Sequence, residues 1–356
     1  MSKSLVARLR SFLVVAVIAA VTAAVALEAI YRLQIVDTYR SELRTYNPAE
    51  ALEDDSGRPT VLVLGDSFSA GNANWVAIVR EEQDDYRVIN AAVSGTGIKQ
   101  AGIMAPGRIR SFRPQVFVYQ IYVGNDLYDI RYPVNSETMS PLRNAFWAVS
   151  DHLISLPFLN YRLGQAGFGM RRMIPDDRVE IIPMRDRMDE AREPFSVAKY
   201  AAREKLLLLA EPHLIENSAL LRGGREEDFR FLLKELGRML RRLPDDCPAI
   251  LVVIPHCAQV TPGYLERMKS IGAKFDDEQA VLAETSPFVA ELRAYVEREE
   301  LNASVLDVLP MLRDAEDSGV SVYLPNDPHL DEVGQRLLAE TVLDALSPPP
   351  ASRRDP

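Results

Sequence analysis

The sequence predicts a three-layer α/β/α sandwich around a mostly parallel, five-stranded, flavodoxin-like sheet. Three observations carry that expectation. Short apolar, β-branched runs stop abruptly at Gly, Asn or Pro, as buried strands do. Helical segments alternate with them, the pattern of a parallel sheet covered on both faces. The chain has 356 residues, 47% of them hydrophobic and 26% charged, enough apolar material for a packed core.

The strands are expected at 60–64, 87–92, 115–123, 249–254 and 304–308. The intervening helices are expected at 73–82, 97–111, 225–243 and 279–301, with a last one at 331–346. A crossover between parallel strands needs about a dozen residues. The stretch between the third and fourth strands is far longer, so 127–220 is expected to be an insertion in a domain spanning 59–346. It is rich in Pro and Arg, including Arg171-Arg172. Two readings of it stay open: a solvated cap whose arginines pair with its own acids, or a lid that binds an anionic or sugar-rich polymer. The Pro-rich tail 347–356 is expected to be disordered.

Composition excludes several classes. Lys and Arg total 41 against 51 Asp and Glu, a net charge of −10, which argues against a nucleic-acid partner. The two cysteines, Cys247 and Cys257, flank an apolar run. If that run is a strand it holds them about 30 Å apart, too far for a disulfide. No His-x-x-x-His or Cys/His cluster has metal-ligand spacing, so no metal or other cofactor is expected.

At the N-terminus, Lys3, Arg8 and Arg10 precede the uncharged run 11–27, SFLVVAVIAAVTAAVAL, which extends in apolar character to Tyr31. That length approaches the ~20 residues that span a hydrocarbon core, and the run has no polar face. The leading expectation is a signal anchor over 11–31, with 1–10 a cytoplasmic tail and the following domain on the exported side. Two alternatives stay open. Ala24-Val25-Ala26 fits a cleavage site, which would release the protein after Ala26, and a buried soluble helix would also be apolar. Basic residues are balanced on the two sides of the run, so the orientation rests on the short basic N-terminus. Residues 32–58 are mixed and charged and read as a linker.

The candidate chemistry lies at strand ends. The first strand runs into Gly65-Asp66-Ser67-Phe68-Ser69, placing a serine where open α/β sheets bind ligands. A helix expected to follow directly would offer its free N–H groups and dipole to an anion there. The second strand ends in Asn90-Ala-Ala-Val-Ser94-Gly95 and the third in Gly124-Asn125-Asp126. Before the last helix stands Asn326-Asp327-Pro328-His329, followed by Gly334. A serine hydroxyl needs a base within hydrogen-bond reach, and a tetrahedral oxyanion needs preorganised donors.

In their order and placement these four blocks resemble the SGNH (GDSL-type) hydrolase family. The resemblance covers 60–130 and 249–346 and leaves the insertion unmatched. It implies that Ser67 is the nucleophile and His329 the general base. It also implies an oxyanion hole made of the Ser67 and Gly95 N–H groups and the Asn125 side chain. The family often spaces acid and base as Asp-x-x-His, but that position holds Asn326. Asp327 is therefore expected to orient His329, as in relatives with an Asp-x-His arrangement; a Ser–His dyad is the alternative. The expected activity is a serine esterase acting on a carboxylic ester, with an O-acetyl group on a cell-surface or exported glycan as the analogy suggests. An O-acyltransferase using the same site, or a non-catalytic glycan-binding scaffold, are the alternatives.

The other conspicuous residues have plainer expectations. His256 is read as a hydrogen-bonded structural histidine, and His152 and His213 lack partners of metal spacing. Asp126 and Asp129 are read as turn or cap residues. Tyr119, Tyr122 and Tyr128 are read as core or rim.

Overall fold

The computed structural model describes residues 3–53, 57–166 and 188–346. Arg171-Arg172 and the tail 347–356 lie outside the described residues. Five strands form one sheet: β1 Thr60–Leu64, β2 Arg87–Asn90, β3 Val116–Tyr122, β4 Ala249–Ile254 and β5 Ala303–Asp307. All four pairings are parallel and the order is β2-β1-β3-β4-β5.

Side-chain alternation explains why β1, β3 and β4 are almost wholly apolar. Val61 and Val63 of β1, Val118 of β3 and Val252 of β4 face one core, with the helices Trp75–Glu82 and Glu332–Leu346. Leu62, Leu64, Phe117, Ile121, Leu251 and Val253 face the other core. There they meet the helices Ile98–Phe112, Arg225–Leu240 and Pro287–Arg298. A strand buried on both faces has no polar side to show, hence the long apolar runs. Because β2 and β3 flank β1, the connection out of β1 runs to one side of it and the connection into β3 carries the chain to the other. This opens a crevice at the carboxyl ends of β1 and β3, the place where such sheets bind ligands.

Several expectations change. The single helix expected over 279–301 is two, Glu278–Val281 and Pro287–Arg298. Ser286 caps the second, its side chain accepting from the Val289 N–H at 3.4 Å, with Pro287 at the first helical position. The helices Pro262–Ser270 and Leu309–Asp317 were not anticipated. The segment 32–58 is not an open linker: it carries the helices Arg40–Tyr46 and Ala49–Leu52. Tyr39 and Leu43 are buried, and Asn47 pairs with Asn90 through two bonds of 2.7 and 2.8 Å, extending the β2 edge. Its charge misled because Glu42 is buried against Arg162 at 2.6 Å rather than solvated.

Among the described residues one helix, Lys3–Arg32, contains a stretch long and apolar enough to cross a membrane. Its end is tied to the domain. The Glu28 carboxylate accepts the N–H groups of Ile154 and Ser155 at 3.1 and 2.9 Å, where the helix Ser155–Gln165 begins. Tyr31 hydrogen-bonds Tyr39 at 2.8 Å. Between β3 and β4 the described residues form the helices Pro141–Ser150, Ser155–Gln165, Met188–Arg192, Ala202–Ala210 and Leu214–Leu220 ahead of the crossover helix. Cys247 and Cys257 are buried free thiols.

Candidate active site

β1 delivers Gly65-Asp66-Ser67 to the crevice. Gly65 is required by crowding rather than by turn geometry: a Cβ there would lie 2.5 Å from the Gln120 Oε1 atom. That oxygen, from the middle of β3, accepts from the Asp66 N–H at 3.1 Å and the Ser69 hydroxyl at 3.0 Å. The Ser69 backbone carbonyl in turn accepts from Asn74 and Asn90. No long helix starts at Ser67. The chain makes a single turn, with the Ala70 N–H donating to the Asp66 carbonyl at 2.9 Å, and the next helix begins only at Trp75, capped by Asn74. The dipole of a full helix is therefore not aimed at Ser67, and an anion there would depend on individual donors.

The C-terminal loop completes the arrangement. The His329 Nε2 atom lies 2.8 Å from the Ser67 Oγ atom, and its Nδ1 atom lies 2.5 Å from the Asp327 Oδ1 atom. Asp327 Oδ1 also accepts the His329 N–H at 3.2 Å, so the carboxylate fixes the backbone of the turn as well as the ring. Phe68 stacks on the imidazole with centroids 4.5 Å apart. Burial pushes the His329 pKa down, but the Asp327 charge and hydrogen bond outweigh it and hold the group above the usual histidine value.

The three proposed donors come from three loops. The Asn125 Nδ2 atom donates to the Asp66 Oδ2 atom at 2.7 Å, which leaves its second N–H. Asp66 accepts the Phe68 N–H on its other oxygen at 3.0 Å. Burial raises the Asp66 pKa, against those hydrogen bonds and the nearby His329. Gly95 has φ +72°, a conformation that favours glycine. Among the described residues, neither the Ser67 nor the Gly95 N–H is taken by another group.

The space around these atoms is of two kinds. Ser67 and His329 open onto a groove of about 920 Å³, walled by Asn72, Met188, Arg192 and Leu330. Gly95 borders a separate cavity of about 290 Å³, lined by Tyr132, Trp147, Phe158, Tyr161 and Arg203.

The remaining singled-out residues fall outside this constellation. His256 is buried and caps a short turn, its Nδ1 atom accepting the Ala258 N–H at 3.1 Å. Asp126 accepts the Tyr122 N–H at 2.9 Å, a turn role. Asp129 is buried beside Arg203 at 3.5 Å, and among the described residues neither carboxylate oxygen has a hydrogen bond within normal limits. Tyr119, Tyr122 and Tyr128 are core. Among the described residues one grouping has metal-ligand character, His213, Glu216 and Asp276. Glu216 already accepts the Asp276 and Asp277 N–H groups there. Sequence reasoning overlooked Gln120 as an anchor beneath the serine turn. Its signal was available: one amide inside the apolar run VFVYQIY.

No family model matches the chain, and no curated protein does. Solved structures that it resembles include TesA, at 15% identity over 81% of this chain and 97% of that one, with a TM-score of 0.36. The acetyl xylan esterase AlAXEase shares 11% identity over 81% and 100%, with a TM-score of 0.39. A lipolytic protein of the G-D-S-L family from Veillonella parvula shares 11% over 81% and 97%, with a TM-score of 0.38. Many of the solved structures similar to this chain are thus G-D-S-L lipolytic proteins and acetyl xylan esterases.

Proposed function

We propose that the protein is a serine esterase of the SGNH type. The observation that carries the reading is the 2.8 Å approach of His329 Nε2 to Ser67 Oγ, with Asp327 on the other ring nitrogen, at the carboxyl edge of a parallel sheet. Ser67 Oγ attacks the ester carbonyl carbon while its proton passes to His329 Nε2. The carbonyl π pair moves onto oxygen, which the N–H groups of Ser67, Gly95 and Asn125 receive. Asp327 balances the imidazolium without taking its proton. Collapse of the intermediate breaks the bond to the alcohol oxygen, which leaves with the proton from His329. Water then repeats the sequence on the acyl-enzyme, and Ser67 is regenerated as the free acid departs.

Extending the reading to an O-acetyl ester on a cell-surface or exported glycan rests on the motif resemblance and the apolar N-terminal helix. In this reading the helix is a signal anchor that holds the domain on the exported side of the membrane. Purified protein should hydrolyse p-nitrophenyl acetate, and Ser67→Ala should abolish the turnover. Equal turnover by the two proteins would contradict the proposal.

A further inference from the structure

Asn326 occupies the position where an Asp-x-x-His spacing would put an acid, yet its side chain does not approach His329 Nδ1, which Asp327 holds. It is completely buried, and all of its polar atoms face the segment 190–201. Its Nδ2 atom donates to the carbonyls of Glu190, Glu193 and Pro194 at 3.1, 2.8 and 3.3 Å. Its Oδ1 atom accepts the Ser196 N–H at 2.8 Å. Its backbone N–H donates to the Ala191 carbonyl at 3.1 Å, and its carbonyl accepts the Ala201 N–H at 3.0 Å. The helix Met188–Arg192 leads into this segment, and its Met188 and Arg192 wall the groove at Ser67.

We propose that Asn326 is a positioning residue, a neutral amide clamp that locks the Asp327–His329 loop to the segment 188–201, whose Met188 and Arg192 wall the groove. The inference rests on the reading of Ser67 and His329 as the reactive pair. A primary amide suits this place because it both donates and accepts. A carboxylate of the same shape cannot donate. It would face three carbonyl oxygens in a buried setting, which disfavours the charged form and opposes the clamp. An acid at 326 is therefore a defect here and not a second source of the triad carboxylate. The insertion and the base loop move as one body through this residue, so the groove wall and the position of the base are set together.

The experiment compares wild type, Asn326→Asp, Asn326→Ser and Asp327→Asn with the double variant Asn326→Asp/Asp327→Asn. It uses p-nitrophenyl acetate turnover across pH and fluorophosphonate labelling of Ser67, with Tm as a check on folding. The clamp predicts that Asn326→Asp loses ~10–100-fold in kcat at pH 8, as misplaced catalytic groups do. Its activity relative to wild type should recover as the pH is lowered, because the protonated carboxyl regains one donor. Asn326→Ser should lose kcat with a ratio that does not vary with pH. A purely structural role would instead lower the active fraction equally at every pH. Wild-type kcat in Asn326→Asp would overturn the clamp, as would a double variant more active than Asp327→Asn alone. If Asn326→Asp does not fold, wild-type kcat in folded Asn326→Ser overturns it. A wild type that neither turns over nor labels would overturn the esterase reading and this inference with it, whereas a live wild type with an unaffected Asn326→Asp overturns the clamp alone.

Discussion

Asn125 and Asp66, from the ends of adjacent parallel strands, are joined by a 2.7 Å hydrogen bond from amide to carboxylate. The same carboxylate receives the Phe68 N–H, so one buried acid sets both the serine turn and the side chain proposed to meet the oxyanion. Removing the donor should matter more than removing its support. Asn125→Ala is expected to lower kcat by ~10²–10³-fold with little change in KM, the usual cost of an oxyanion donor. Asp66→Asn is expected to cost less, since the turn keeps its Gln120 contact. Steady-state kinetics on p-nitrophenyl acetate separate the two.

The Asp327–His329 pair makes a prediction about pH. General-base catalysis needs the neutral imidazole, so kcat/KM should rise with pH through the His329 pKa. Asp327 holds that pKa above the ordinary 6.5. Asp327→Asn removes the charge that raises it, so the acid limb should move to lower pH while kcat drops ~10⁴-fold. A loss of only a few-fold, with an unmoved limb, would favour a Ser–His dyad.

Gly334 should tolerate no side chain. A Cβ at this site would lie 2.3 Å from the Val322 carbonyl oxygen and 3.0 Å from the Leu330 side chain, and backbone cannot step aside as a flexible side chain can. Gly334→Ala is expected to lower stability by ~1–3 kcal/mol, the range for overpacked sites. Urea unfolding gives the value. Because the strain lies next to the turn that presents His329, kcat should fall as well.

Asp129 predicts a stability effect that depends on pH. Burial, opposed by Arg203, pushes its pKa up to about 6 from 3.8. The fold therefore favours the protonated acid, and that contribution is present below pH 3.8 and lost as the pH rises through about 6. Asp129→Asn removes the burden of the buried charge. Its Tm should exceed that of wild type by about 2–4 °C at pH 8, with no gain at pH 4. Calorimetry at the two pH values checks the sign.

The strands β1, β3 and β4 were legible because burial on both faces leaves them apolar but for Thr60 and Gln120. The four motif blocks were legible because each combines a reactive residue type with a strand or helix end. Their convergence on one crevice was an expectation from topology, and the His329–Ser67 distance gives it a geometry. What escaped the sequence depends on partners distant in the chain. Glu42 reads as a solvated charge until Arg162 is placed beside it, and Asn326 reads as a departure from a motif until its carbonyl partners are known. The helix Leu309–Asp317 was hidden by Pro310, which marks its first turn rather than a break.

A nucleophilic Ser67 is what the esterase chemistry requires first. Incubating the purified chain with a fluorophosphonate, digesting it and mapping the adduct by mass spectrometry measures this directly. The prediction is one phosphonylated serine, at 67, formed in the wild type and absent from Ser67→Ala and greatly slowed in His329→Ala. A folded wild type that remains unmodified, or an adduct that persists in Ser67→Ala, would contradict it.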